Sequence, residues 1–134
     1  MDQGEVDKVI YKELSYKIVG ILYGVYNELG YGYQEKIYEK AIAECFMEYG
    51  IIFRRQAPYL IIFRGNIIGR NYIDFKVDNK IILEIKRGDY FSRKNIEQIK
   101  KYLAVTGMKL AILAHFTSNG VKIFRAFNPN NKYL

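Results

Sequence analysis

Tryptophan is absent from the 134 residues, and cysteine and histidine occur once each, as Cys45 and His115. A single cysteine excludes an intrachain disulfide, an all-cysteine zinc site and a four-cysteine iron–sulfur cluster. The lone histidine, at a strand end, reads as structural, and Cys45, on a buried helical stripe, as a small hydrophobe. No apolar run approaches the roughly 18–20 residues of a membrane helix. The opening Met1-Asp2-Gln3-Gly4-Glu5 lacks the basic and apolar regions of a signal peptide, so a reducing, cytoplasmic setting without membrane contact is expected. No segment repeats at a solenoid period. Acidic residues are few: 14 against 21 Lys and Arg, a formal charge of +7. That excess on a small domain favours a polyanionic partner.

What is present is one continuous alternation of elements, so a single domain is expected over 1–134, with its core at about 14–127. Val6 to Leu29 is apolar at helical spacing. Gly20 and Gly24 on it cost about 1 kcal/mol each and are expected to let a neighbour pack closely. A second helix, Gln34 to Tyr49, carries Tyr38, Ala41, Ile42, Cys45, Phe46 and Tyr49 on one stripe. Beyond Gly50 the period becomes extended, with runs Ile51–Gln56 and Tyr59–Arg64 broken at Ala57-Pro58, a turn at Gly65-Asn66 after which Ile67-Ile68 resumes the strand, and strands Asn71–Val77 and Lys80–Lys86. Ser92 caps a third helix, Arg93 to Thr106, which turns Ile96, Ile99, Leu103 and Thr106 inward and ends at Gly107. Strands Leu110–His115 and Val121–Phe127 follow, and the tail from Asn128 is expected to fray. The order α-α-β-β-β-α-β-β predicts an α/β domain with a mixed β-sheet and flanking helices.

Three carboxylates stand on faces that should be apolar. Strand alternation puts Asp74 opposite the face shared by Ile73, Phe75 and Val77, and Glu84 with Ile82 and Lys86. A three-residue loop, Asp78-Asn79-Lys80, pairs Val77 with Ile81, Phe75 with Leu83 and Ile73 with Ile85. Asp74 then meets Glu84, and Tyr72 meets Lys86. Two opposed carboxylates repel by up to about 1 kcal/mol, and a divalent cation is a chemically apt compensation. Glu35, in the first turn of the second helix, shares its buried stripe, where a helix N-terminus favours a negative side chain. Taken alone, Glu35 is better explained by helix-dipole matching without chemistry, and a structural salt-bridge cluster is an alternative for Asp74, Glu84 and Lys86.

The spacing from Asp74 to Glu84-Ile85-Lys86 resembles the D…ExK signature of the PD-(D/E)XK nuclease superfamily. Gly32-Tyr33-Gln34-Glu35-Lys36-Ile37-Tyr38 is similar to the G-x-x-E-x-x-Y motif of its GxxExxY family, and Gln98 with Tyr102 to the Q-x-x-x-Y element on the following helix. The resemblance implies a restriction-endonuclease-like αβββαβ core preceded by an extra N-terminal helix, and Mg²⁺- or Mn²⁺-dependent cleavage of nucleic acid, foremost DNA. It implies Asp74, Glu84 and the Ile85 carbonyl as metal ligands, with Glu35 acting through water. Lys86 would orient or activate the attacking water and stabilise charge on the phosphate, while Gln98 and Tyr102 would contact the lysine or a backbone phosphate. The family pattern often has a basic residue where this chain has Tyr72, with Arg70 two further back.

Between Lys86 and Lys109 lie seven basic residues against Asp89 and Glu97, an excess of five of the total +7. Lys86, Arg87, Arg93, Lys94 and Arg70 are the candidates to grip a nucleic-acid backbone; Arg93 and Lys94 oppose the helix dipole and so favour an anion partner. Tyr90 and Phe91 are candidates to stack on bases. Two alternatives stand beside a DNA endonuclease. One is a Holliday-junction-type, structure-selective resolvase acting as a homodimer, with Tyr23 and Tyr26 suiting an interface or a core equally. The other is a non-catalytic nucleic-acid-binding module of the same fold.

Overall fold

A computed structural model describes residues 10–128. Its elements are α1 (Lys12–Leu29), α2 (Glu35–Glu48), β1 (Phe53–Phe63), β2 (Asn66–Val77), β3 (Ile81–Arg87), α3 (Arg93–Thr106), β4 (Leu110–Thr117) and β5 (Gly120–Phe127). The strands form one sheet in the order β1-β2-β3-β4-β5. β3 and β4 run parallel, joined by α3, and the other neighbours are antiparallel. The α/β class and the mixed sheet expected from the sequence are therefore present. No described helix is long and apolar enough to cross a membrane.

Helices cover both faces, and β3 shows why its sequence is nearly all apolar. Ile81, Leu83 and Ile85 pack under α1 and α2 with Ile18, Leu22, Tyr38, Ile42 and Phe46. Ile82 faces the other way, into a second layer with Ala111, Leu113 and the α3 residues Ile99, Tyr102 and Leu103. A central parallel strand buried on both sides needs such a run. The one charge within it that is almost wholly buried is Glu84, 3% exposed.

Several boundaries differ from the sequence reading. β1 runs unbroken through Ala57-Pro58, because β1 is an edge strand, where a proline is tolerated. After the turn the strand resumes at Ile67 and Ile68 as expected, and it runs on without a break into Asn71–Val77 as β2. Tyr49 is exposed while Glu39 and Ala43 are buried, so the inner stripe of α2 is rotated from the expected one. Gly20 and Gly24 have no atom within 4 Å of where a Cβ would stand; they border an open groove with Cys45 and Tyr49 instead of a close neighbour. Tyr23 is exposed, whereas Tyr26 packs inward and donates its hydroxyl to the Thr117 carbonyl at 2.7 Å. Asn128 is buried and anchored, its side-chain amide donating to the carbonyls of Leu103 and Met108 at 2.9 Å each. The rest of the tail, and Val6 and Val9 of the expected first helix, lie outside the described residues.

Candidate active site

The site is built on an interruption of the sheet. The β2–β3 turn is the expected three-residue connection, with both Asp78 and Asn79 left-handed at φ near 50° and the Lys80 amide donating to Val77 O. From it the backbone ladder pairs Val77 with Ile81, Lys76 with Ile82 and Phe75 with Leu83, and there it ends. The expected Ile73–Ile85 and Tyr72–Lys86 pairs do not form. The cause lies on both β1 and β2. Phe75 packs with the α1/α2 layer but Ile73 with the α3 layer, so these residues do not share the face that simple alternation assigns them. On β1, Ala57 makes the same change of layer from Phe53. Between the two layers stand Asp74 and, on β1, Gln56, whose φ of 47° is costly for a residue with a Cβ.

Where the ladder stops, the two carboxylates take over its hydrogen bonds. The Asp74 amide donates to Glu84 Oε1 at 2.8 Å, and the Ile85 amide donates to Asp74 Oδ2 at 2.8 Å. Each carboxylate thus satisfies a backbone donor of the other's strand, which fixes both side chains by main-chain geometry. Ile85 presents only its backbone here, since its side chain is in the core. Burial raises the Glu84 pKa first and the neighbouring Asp74 second, to about 8. Burial also raises that of Asp74, against the Ile85 hydrogen bond and the charge of Lys86, which lower it. Lys86 favours the ionised form of both acids. The two acids and the lysine, picked out by their spacing, are therefore neighbours in the structure.

Two groups that spacing did not mark join them. Glu39, buried on α2, accepts from Gln56 Nε2 at 3.0 Å and pairs with Arg55 at 3.6 Å. Gln56 also reaches Asp74 Oδ1 at a long 3.5 Å, and the Asp74 charge is among the causes that, after burial, raise the Glu39 pKa. A glutamate one position past the expected stripe, on the turn after Glu35, was the available signal. Glu35 itself sits at the far end of β3, where its Oε2 accepts from the Arg87 amide at 3.3 Å. Tyr102 is buried and its hydroxyl lies 3.5 Å from the Tyr72 carbonyl; burial, then Glu84, raises its pKa. Gln98 lines a groove with Tyr59, Asn71, Lys94 and Lys101, and among the described residues it makes no hydrogen bond to Lys86.

The basic candidates are spread around this centre. Arg87 is exposed, its guanidinium 5.5 Å from the Tyr31 ring centre. Arg93 and Lys94 are exposed in the first turn of α3, the Lys94 amide donating to Ser92 Oγ as the cap requires. Arg70 lies opposite Leu60, four residues along β2 from Asp74, and the cations whose charge acts on Asp74 are Lys86 and, more weakly, Arg55. Phe91 is half-buried, stacked on Phe124 at 4.7 Å and 5.7 Å from the ring of the buried His115, so its ring is already engaged with the protein. Tyr90 is 85% exposed.

Among the described residues no three Asp, Glu, His or Cys groups close on one point. The pair of Asp74 and Glu84 still fits a small divalent ion, because Mg²⁺ is held by one or two carboxylates and completes its shell with water and substrate phosphate. Two desolvated acids, of which Asp74 further raises the pKa of Glu84, are short of a cation.

The sequence pattern of the PD-(D/E)XK nuclease superfamily matches residues 12–126. No curated protein matches the chain. Among solved structures, the crystal structure of SSO0001 is similar in fold, with a TM-score of 0.57 and 17% sequence identity over 72% of this chain. The match covers 52% of SSO0001, about half its length.

Proposed function

Since the chain belongs to the PD-(D/E)XK nuclease superfamily, we propose that it is a metal-dependent endonuclease that hydrolyses phosphodiester bonds in DNA, with residues 1–134 acting as one domain. The motif of Gly32, Glu35 and Tyr38 supports a place in the GxxExxY family of that superfamily. One observation carries the reading: Asp74 and Glu84 are desolvated together and interlocked through backbone amides beside Lys86.

Asp74 and Glu84 would hold Mg²⁺ or Mn²⁺, with the Ile85 backbone alongside. A divalent ion held there would polarise a phosphoryl oxygen and make a bound water more acidic. Lys86 stands beside the pair and would orient or activate the attacking water and stabilise the charge that develops on the phosphate. Gln56 of β1, backed by Glu39 of α2, would orient Asp74, and Glu35 would steady the end of β3 through the Arg87 amide. Tyr102 braces the strand that carries Asp74. Arg87, Arg93 and Lys94 would track the backbone, with Gln98 in the groove below them and Arg70 farther out along β2. Tyr90 is the side chain free to stack on a base.

Duplex, single-stranded and branched DNA incubated with the protein should be cut only when Mg²⁺ or Mn²⁺ is added. Asp74→Ala and Lys86→Ala should each slow cutting by on the order of 10²–10³-fold. Metal-independent cutting, or variants as fast as the wild type, would refute the assignment. A second reading, a structure-selective resolvase working as a homodimer, is favoured by an apolar arm that a monomer leaves uncovered. It predicts preference for branched over linear duplex.

A further inference from the structure

Although β3 stops pairing with β2 at Phe75, β1 and β2 stay paired to each other out to Phe63 and Asn66. The stretch from Pro58 to Tyr72 is thus a two-stranded arm with no third strand beside its outer part. Its outer half is Leu60-Ile61-Ile62-Phe63 and Ile67-Ile68, each between 39% and 64% exposed. Consecutive strand residues point to opposite faces, so both faces are apolar. The arm contains no acid and no lysine; its charges are Arg64 and Arg70, and the Arg64 guanidinium lies 5.0 Å from the Phe63 ring centre.

An isolated hairpin is marginal in water, and an apolar edge left open invites another strand. Aromatic side chains bury roughly 150–250 Å² each and Leu and Ile fall toward the lower end of that range, so six such residues about half exposed leave on the order of 600 Å² of apolar surface. Monomers rarely expose a patch above a few hundred Å². Nucleic acid does not suit this surface, since phosphate binding needs clustered cations.

We infer that a second copy of this chain covers the arm, the two arms packing on each other about a two-fold axis. A two-fold interface requires a patch that complements itself, and one of Ile, Leu and Phe without carboxylates does so with no charge left to match. If the two arms clasp so that both faces of each are covered, they bury on the order of 1,200 Å² together, the lower edge of the range for specific interfaces. The inference supplies the surface for the dimer that the resolvase reading requires, yet it does not depend on cleavage.

Sedimentation equilibrium of the full chain, without DNA or metal, tests it. The wild type should have twice the monomer mass at micromolar concentration. Ile62→Lys combined with Ile68→Lys should weaken dimerisation by about 100-fold or more, with an unchanged far-ultraviolet spectrum. Should that variant not fold, amide exchange of the wild type decides: the amides of residues 60–68 should exchange slowly when concentrated and faster on dilution. A wild type at monomer mass throughout, a folded double variant that dimerises like the wild type, or arm exchange unaffected by dilution would each overturn it. A monomer that floats with phosphatidylcholine vesicles would assign the arm to lipid and also overturn it. A dimer that cuts no DNA would leave this inference standing and refute only the nuclease assignment.

Discussion

Glu84 is held where water is scarce, 3% exposed between Ile82 and Ile85 and facing the Asp74 carboxylate, and its pKa is pushed up to about 8. Between the ordinary 4.5 and about 8 the folded chain therefore keeps a proton that the unfolded chain has released. The stability that this proton confers is complete below the ordinary value and is lost as pH rises through about 8. The raised pKa of Asp74 acts in the same direction. Melting of the metal-free protein should accordingly move to lower temperature from pH 5 to pH 8.5, and Glu84→Gln should flatten that slope. Added Mg²⁺ should raise the melting temperature most at the alkaline end, where both acids are ionised. The two α2 glutamates are separable in the same way. Glu39 is joined to Asp74 through Gln56, whereas Glu35 bonds the Arg87 amide. Glu39→Gln should therefore reduce cleavage more than Glu35→Gln, as initial rates at saturating Mn²⁺ will show; equal rates would remove the positioning role of Glu39.

Among the elements, α3 separates stability from binding. Its cap at Ser92 and its left-handed Gly107 terminus are both those expected from sequence, but its first turn has Arg93 and Lys94 and no acid. Cations there oppose the helix dipole by about 0.3–1 kcal/mol. Arg93→Glu with Lys94→Glu should leave urea stability unchanged or slightly higher while weakening DNA binding and reducing its salt dependence. Tighter binding by that variant would exclude this turn from the interface. The elements were legible because α3 and β3 each obey one period and one set of stops. The β2–β3 register was legible as far as Phe75 and Leu83, because apolar residues pair throughout it. Past that point alternation misleads: Ile73 and Phe75 enter opposite layers through a local twist that Gln56 shares, and no single-strand pattern encodes a twist. Glu39 was hidden for a related reason, since the inner stripe of α2 is set by how the helix rotates against the sheet. Asp74, Glu84 and Lys86 were visible because charges on a strand that is otherwise apolar have few bland explanations.

At the scale of the whole molecule, the positive excess, the interrupted ladder and the apolar arm lie along one continuous path. The basic residues concentrate from β3 to the end of α3, the carboxylate pair sits where β2 leaves β3, and the arm extends beyond it. A metal held by Asp74 and Glu84 would offset their negative charge and join them to the basic surface, so the field met by a phosphate would be more favourable than +7 alone suggests. The most direct test is cleavage by Glu84→Gln, because glutamine keeps an oxygen to accept from the Asp74 amide and removes only the charge. With Mg²⁺ present, this variant should fold and bind DNA like the wild type and cut it at least 10²-fold more slowly. Cutting at the wild-type rate would contradict a metal centre built on Asp74 and Glu84.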